Sequence, residues 1–186
     1  IMFFNNFSQN IISTLEESNR NKLIPKQITY IADLIKDIDK KHKLIAIFGN
    51  GGSAADSQHF AAELMCTYKN KKRKPYKALA LTTDTSIITA WSNDFNFDSV
   101  FERQVEALNN QIGLAIGLST SGKSKSVLKA LEKANKLEIK TCLISGIIDK
   151  KNSYIDLSIE IPSKDTPIIQ TITQVIYHSV CNELEI

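Results

Sequence analysis

Apolar residues recur at helical spacing through the first forty positions, then give way to short continuous runs. Phe7, Ile11, Ile12 and Leu15 mark one helix, and Ile28, Ile31, Leu34, Ile35 and Ile38 a second, with Pro25 near its opening. Leu44-Ile45-Ala46-Ile47-Phe48 reads as a buried strand running into Gly49-Asn50-Gly51-Gly52, after which a helix is predicted from about Ser53 to Tyr68. The alternation continues. Strands are predicted at 78–81, 113–118, 140–145 and 155–161, and helices around 86–91, 97–108, 124–135 and 166–184. Short apolar strands separated by helices predict an α/β fold with a parallel sheet covered on both faces. No repeat, low-complexity stretch or linker divides the 186 residues, so 1–186 reads as one domain, with 1–42 its helical N-terminal part.

Composition then removes whole classes of function. Lysine and arginine exceed aspartate and glutamate by 23 − 20 = +3, too little to argue for nucleic acid or a membrane surface. The basic run Lys69-Asn70-Lys71-Lys72-Arg73-Lys74 carries no interleaved aromatic residues and reads as a solvated helix end and loop. No apolar run approaches the roughly 18–20 residues of a membrane span. The N-terminus lacks the pattern of a secretion signal, and Met2 reads as the natural start, with Ile1 added before it. Cys66, Cys142 and Cys181 lie far apart without metal-type spacing, which fits mostly buried thiols in a reducing cytoplasm. The expectation is a cytoplasmic protein with neither nucleic acid nor membrane as partner.

In such sheets ligands bind beyond the carboxyl ends of the strands. Three segments there carry suggestive chemistry: Gly49–Ser53, Trp91–Asp94 and Ser119–Ser124. Gly49-Asn50-Gly51-Gly52-Ser53-Ala54 matches a loose dinucleotide fingerprint. That reading needs an acidic residue about twenty positions on, and the nearest candidate, Asp84, lies too far along. A plain tight turn is the other alternative. Ser119-Thr120-Ser121-Gly122-Lys123-Ser124 sets four hydroxyls before a predicted helix, a cradle for an anion that needs no metal. One hydroxyl would suffice for a simple helix cap. Residues 117–124 also satisfy the nucleotide-binding pattern G-x-x-x-x-G-K-[ST]. Against that reading, Gly117 belongs to the strand, and no later strand ends in a magnesium-binding aspartate.

His59 and Glu63 are four apart on one predicted helix and share a face. Such a pair serves as two metal ligands, as two acid/base groups beside one substrate, or as a solvated ion pair. His178 lies among apolar residues of the last helix, where a satisfied core histidine is the alternative; His42 reads as exposed.

Taken together, these segments resemble the phosphoheptose isomerases of the SIS (sugar isomerase) family. The residues that carry the resemblance are Gly49-Asn50-Gly51-Gly52-Ser53, His59–Leu64, Thr82–Ser86, Asn93-Asp94-Phe95, Arg103–Leu108, Ser119-Thr120-Ser121-Gly122, and Ile169-Gln170 with His178. The likeness spans nearly the whole chain, in order. It implies a three-layer αβα sandwich with a five-stranded parallel sheet and an N-terminal helical extension. It implies a homotetramer with sites at subunit contacts. The implied reaction converts sedoheptulose 7-phosphate to D-glycero-D-manno-heptose 7-phosphate for bacterial surface heptoses. Substrate contacts would map to Asn50, Gly51, Gly52, Ser53, Glu63, Asn93, Asp94, Ser119, Thr120, Ser121, Ser124 and Gln170, and one zinc per subunit to His59, Glu63, Gln170 and His178. Glu63 and His178 are the candidate catalytic base and acid. The chain departs from the family pattern at Cys66-Thr67, Ser92, Lys123, Ile168, Thr171 and Thr173; the changes at 67 and 168 remove positive charge near the expected site. Two alternatives remain: an isomerase of another sugar phosphate, and a non-catalytic phosphosugar-binding or scaffold relative. Eight residues, about 12 Å of helix, separate Gln170 from His178, so a neighbouring subunit supplying one of them is expected.

Overall fold

The computed structural model describes residues 2–20, 22–149 and 152–185; the reading of Ile1 lies outside them. Two helices, α1 (Met2–Arg20) and α2 (Leu23–Lys40), precede five strands: β1 (Leu44–Gly49), β2 (Ala78–Ala80), β3 (Ile112–Ser119), β4 (Lys140–Ser145) and β5 (Leu157–Glu160). Between and after them come α3 (Gly52–Met65), α4 (Thr85–Asp94), a 3-10 turn (Phe97–Ser99), α5 (Val100–Ala107), α6 (Lys125–Lys136) and α7 (Thr166–Glu183). The strands are all parallel, in the order β2-β1-β3-β4-β5.

Side chains alternate across a strand, so each strand feeds two cores. Ile45 and Ile47 of β1 pack with Leu114, Ile116 and Leu118 of β3 against α2, α3 and α7. Ala46 and Phe48 pack with Ala115 and Leu143 against α5 and α6. The predicted three-layer arrangement follows. Ile31, Ile35 and Ile38 of α2 sit in the first of these cores, so the second N-terminal helix is part of the packed body. The spacing read for α2 is its buried stripe, whereas in α1 Phe7 and Ile12 are exposed and the buried residues are Thr14 and Ser18.

The topology places the site. β1 leads through α3 to β2 on one side, while β3 lies on its other side, with α3 and α6 on opposite faces of the sheet. A crevice at such a switch point opens between the carboxyl ends of the two strands. The register sets Gly49 beside Leu118, so the loops leaving β1 and β3 emerge together.

Most boundaries fall within a few residues of the sequence reading, but α3 stops at Met65 rather than Tyr68. Its last carbonyls are satisfied from outside the helix. The Arg73 guanidinium donates to Glu63 O at 2.6 Å and Leu64 O at 3.1 Å, and Tyr76 N–H donates to Leu64 O at 3.0 Å. The basic run is therefore not wholly solvated: the Arg73 side chain is only 6% exposed and acts as a helix cap.

Candidate active site

The glycine loop and the serine loop form one cleft of about 320 Å³, lined by Asn50–Ser53, Leu118–Ser121, Ser124, Thr166 and Gln170. Asn50 ties its two walls together, donating from Nδ2 to Ser124 Oγ at 2.7 Å and to Ser126 Oγ at 2.9 Å. Its Oδ1 is buried and has no hydrogen-bond partner among the described residues, an acceptor left over for a ligand hydroxyl.

The serine loop is a tight turn in which Gly122 N–H donates to Ser119 O at 2.9 Å. Gly122 has φ +63°, and a Cβ there would collide with Ile148, so only glycine fits without strain. Within the turn, Ser119 Oγ accepts from Ser124 N–H and Ser121 Oγ accepts from Lys123 N–H. A hydroxyl has one proton to give, so using its oxygen as an acceptor leaves the proton free to donate. Ser124 stands at the N-cap of α6 but makes no side-chain cap bond. Ser124 itself is therefore not a side-chain cap, and its hydroxyl stands at a helix N-terminus of the kind that favours anions.

Both nucleotide alternatives lose ground. Asp84 is the N-cap of α4, its Oδ1 accepting from Ile87 N–H at 2.9 Å, instead of standing at the end of a strand beside a ribose. Gly117 lies inside β3, and Lys123 Nζ pairs with Asp149 at 2.9 Å, both side chains mostly exposed. Lys123→Asn is expected to change apparent substrate affinity by only a few-fold, about 1 kcal/mol or less. Ser119→Ala is expected to cost roughly 1.5–3 kcal/mol through a lost bond to a charged phosphate. Steady-state kinetics at low and moderate salt, with a direct ATP and GTP binding assay in magnesium, check both. Tight nucleotide binding that vanishes in Lys123→Asn would contradict this account of the loop.

A second constellation lies further along α3. His59, Glu63 and His178 offer ligand atoms all within 4.8 Å of one another. His59 Nε2 stands 3.0 Å from Glu63 Oε1, and the His59 and His178 rings meet edge to face at 5.1 Å. Tyr68 stacks on His178 at 5.6 Å. The segment that follows Tyr68 is held by Glu185, whose Oε1 accepts from the backbone N–H groups of Lys69 and Asn70 at 2.8 and 2.9 Å. Burial, then the facing His59, hold the His178 imidazole below its ordinary value. Two imidazoles and a carboxylate are zinc-type donors, and three ligands with an open position are the pattern of a catalytic site. The donor set fits the implied metal.

α3 and α7 run side by side with matched levels. Gln170 lies against Gly52, Gln174 donates to Asp56 at 3.3 Å, and Tyr177 meets His59 at 2.9 Å. Gln170 thus lines the cleft, two turns of α3 from the histidines. Asn93 and Asp94 stand outside it, exposed at the end of α4 and bonded to each other at 2.9 Å. Sequence reasoning missed Thr166 in the cleft, and Asp56, Gln174 and Tyr177 between cleft and cluster. Only Thr166, at the start of a helix beyond a strand end, left a usable signal.

Comparison with known proteins agrees with this geometry. The SIS domain profile matches residues 4–146. Phosphoheptose isomerase 1 of Campylobacter jejuni is 46% identical over 89% of each chain. A Helicobacter pylori phosphoheptose isomerase is 47% identical over 82% of this chain and 79% of its own. The solved structure of a Francisella tularensis phosphoheptose isomerase superposes with a TM-score of 0.88 at 28% identity, covering 97% of this chain and 95% of the other. With a shared profile, close relatives and a shared fold, the chain belongs to the SIS-domain family, among its phosphoheptose isomerases.

Proposed function

We propose that the chain converts sedoheptulose 7-phosphate to D-glycero-D-manno-heptose 7-phosphate for bacterial surface heptose synthesis. The convergence of His59, Glu63 and His178 carries this reading, because an anion-holding cleft alone would serve a non-catalytic relative equally well. The substrate's phosphate and its reacting C1–C2 unit lie at opposite ends of a seven-carbon chain. A cleft and an acid/base cluster two turns apart on α3 suit such a molecule.

In this mechanism the phosphate accepts from the Ser119, Thr120, Ser121 and Ser124 loop and the start of α6. Asn50, Gly51, Gly52, Ser53 and Gln170 hold the sugar chain. The Glu63 carboxylate takes the proton from C1, the C–H pair becomes the double bond of an enediol, and the proton returns to C2. His178 accepts a proton from one oxygen and gives it to the other. In the alternative, Glu63 and His178 would join His59 in holding one zinc per subunit, which would supply polarisation of those oxygens, and the two residues would not then be free as base and shuttle. A fourth ligand from Gln170 would come from a neighbouring subunit.

The same reading takes 1–186 as one SIS domain in a cytoplasmic homotetramer, with Asn93 and Asp94 reaching a neighbour's sugar. Support comes from apolar surface left uncovered: Phe3 is 89% exposed on α1, and no residue of α4 is buried. Among the described residues no helix is long and apolar enough to cross a membrane. Turnover measured on a panel of ketose phosphates tests the assignment, with assembly mass taken by light scattering on the same sample. Sedoheptulose 7-phosphate is expected to be the best substrate. A better pentose or hexose phosphate would reassign the substrate, and no turnover on any would leave a binding protein.

A further inference from the structure

We infer that Tyr177 is a positioning residue for His59, its hydroxyl fixing which ring nitrogen His59 turns toward Glu63 and His178. This rests on the assignment of His59, Glu63 and His178 to the active site. Tyr177 is fully buried, and its ring stacks on Phe60 at 5.3 Å with the planes 16° apart, so packing leaves the phenol no freedom to swing. Its hydroxyl stands 2.9 Å from His59 Nδ1. The His59 side chain is 46% exposed, so burial does little to hold it. A half-turn of its ring would exchange the two nitrogens and lose the Glu63 contact.

The donors and acceptors fit one arrangement. The Glu63 carboxylate only accepts, so the facing His59 Nε2 carries the proton. Nδ1 is then bare, and the Tyr177 O–H donates to it. If a cation sits among His59, Glu63 and His178, it needs the lone pair of Nε2. The ring proton must then reside on Nδ1, and the phenol oxygen can accept it. A hydroxyl satisfies both states without moving. A carbonyl or carboxylate would satisfy only the second, and a phenylalanine neither. Tyr177 thus lets His59 change tautomer while its ring stays in place.

Tyr177→Phe keeps the ring and its stack on Phe60. The unfolding midpoint is expected to stay near that of the unmodified protein. Zinc affinity, measured by competition with a chromophoric chelator, is expected to fall roughly 10- to 100-fold. Turnover should fall more than KM rises. Nitrogen-15 NMR of the metal-free protein at mildly alkaline pH should show His59 as the Nε2–H tautomer, and a mixture in Tyr177→Phe. Unchanged zinc affinity and an unchanged tautomer in folded Tyr177→Phe would overturn the inference. So would an Nδ1–H tautomer in the unmodified metal-free protein, a result that needs no variant to fold. If the unmodified protein fails to bind zinc, the metal assignment falls, while the tautomer measurement still decides the role of Tyr177.

Discussion

Glu63→Gln is expected to fold and assemble as the unmodified chain does and to lose turnover on the order of 10²-fold or more. Glutamine keeps the shape of the side chain and can still accept from His59 Nε2 at the distance seen here, 3.0 Å. What it lacks is a site for the proton drawn from carbon. The surroundings of Glu63 make the experiment clean. Its backbone carbonyl, which takes the Arg73 guanidinium that caps α3, is untouched by the substitution. Loss of turnover in a folded protein whose zinc affinity matches the unmodified chain's would therefore report the lost base and not a loosened helix or a lost metal. Substrate affinity should change little under the proposed assignment, in which the serine loop, two turns of α3 away, holds the phosphate. Near-normal turnover in folded Glu63→Gln would remove Glu63 as the base.

Gly49→Ala is expected to lower stability by roughly 1–3 kcal/mol and to abolish most activity, through overpacking at a point where nothing can yield. A Cβ on Gly49 would lie 2.8 Å from Leu118 O, 2.9 Å from Ser53 O and 2.8 Å from Ser53 Cβ. The two oxygens belong to the backbone, one at the end of β3 and one in the first turn of α3. A flexible side chain can rotate away from a new methyl group; these atoms cannot without parting the strands that frame the cleft. Gly52 makes the contrast, since the three atoms nearest a Cβ there all belong to the side-chain amide of Gln170, which can rotate. Urea unfolding midpoints and turnover measured together check the prediction. A Gly49→Ala protein with ordinary stability and ordinary turnover would mean that the two walls are not locked at this point.

The sequence was most legible where a feature depended on local pattern. The apolar cores of Leu44–Phe48 and Cys142–Ile144 mark strands because both faces of the sheet are covered, and the α2 stripe marks a helix because one face is buried; α1 departs from this, with Phe7 and Ile12 exposed. The serine loop was legible as an anion cradle because hydroxyl density exceeds what a cap requires. The distance between Gln170 and His178 follows from helix rise alone, and the structure keeps them apart. What stayed hidden depends on partners distant in sequence. Arg73 looked like one charge in a solvated run, because nothing local shows that it reaches back to cap α3. Tyr177, in an apolar helix, has the signature of a core aromatic, and its ring is one; only its hydroxyl does something else. Asp56 was silent for a similar reason: burial raises its carboxyl above the usual range, and its partner Gln174 lies on another helix. α4 runs from Thr85 to Asp94, beyond the 86–91 that the pattern predicts, although Asp84 before Thr85-Ser86 is a recognisable start signal.

The parallel alignment of α3 and α7 also sets a timetable for folding. Tyr177 and His59 are 118 residues apart in sequence, and the Glu185 contact to Lys69 spans 116. A growing chain emerging from the ribosome releases α3 and the basic segment long before their partners exist, and such distant pairings form late. Until α7 docks, α3 has no neighbour along its histidine face, Arg73 has no Glu185 beside it and Tyr68 has no ring to rest on. The sheet can form around β1 and β3 well before that. The His59–Glu63–His178 cluster is thus completed only once α7 has been made, and a chain arrested before that helix would carry the glycine and serine loops without His178.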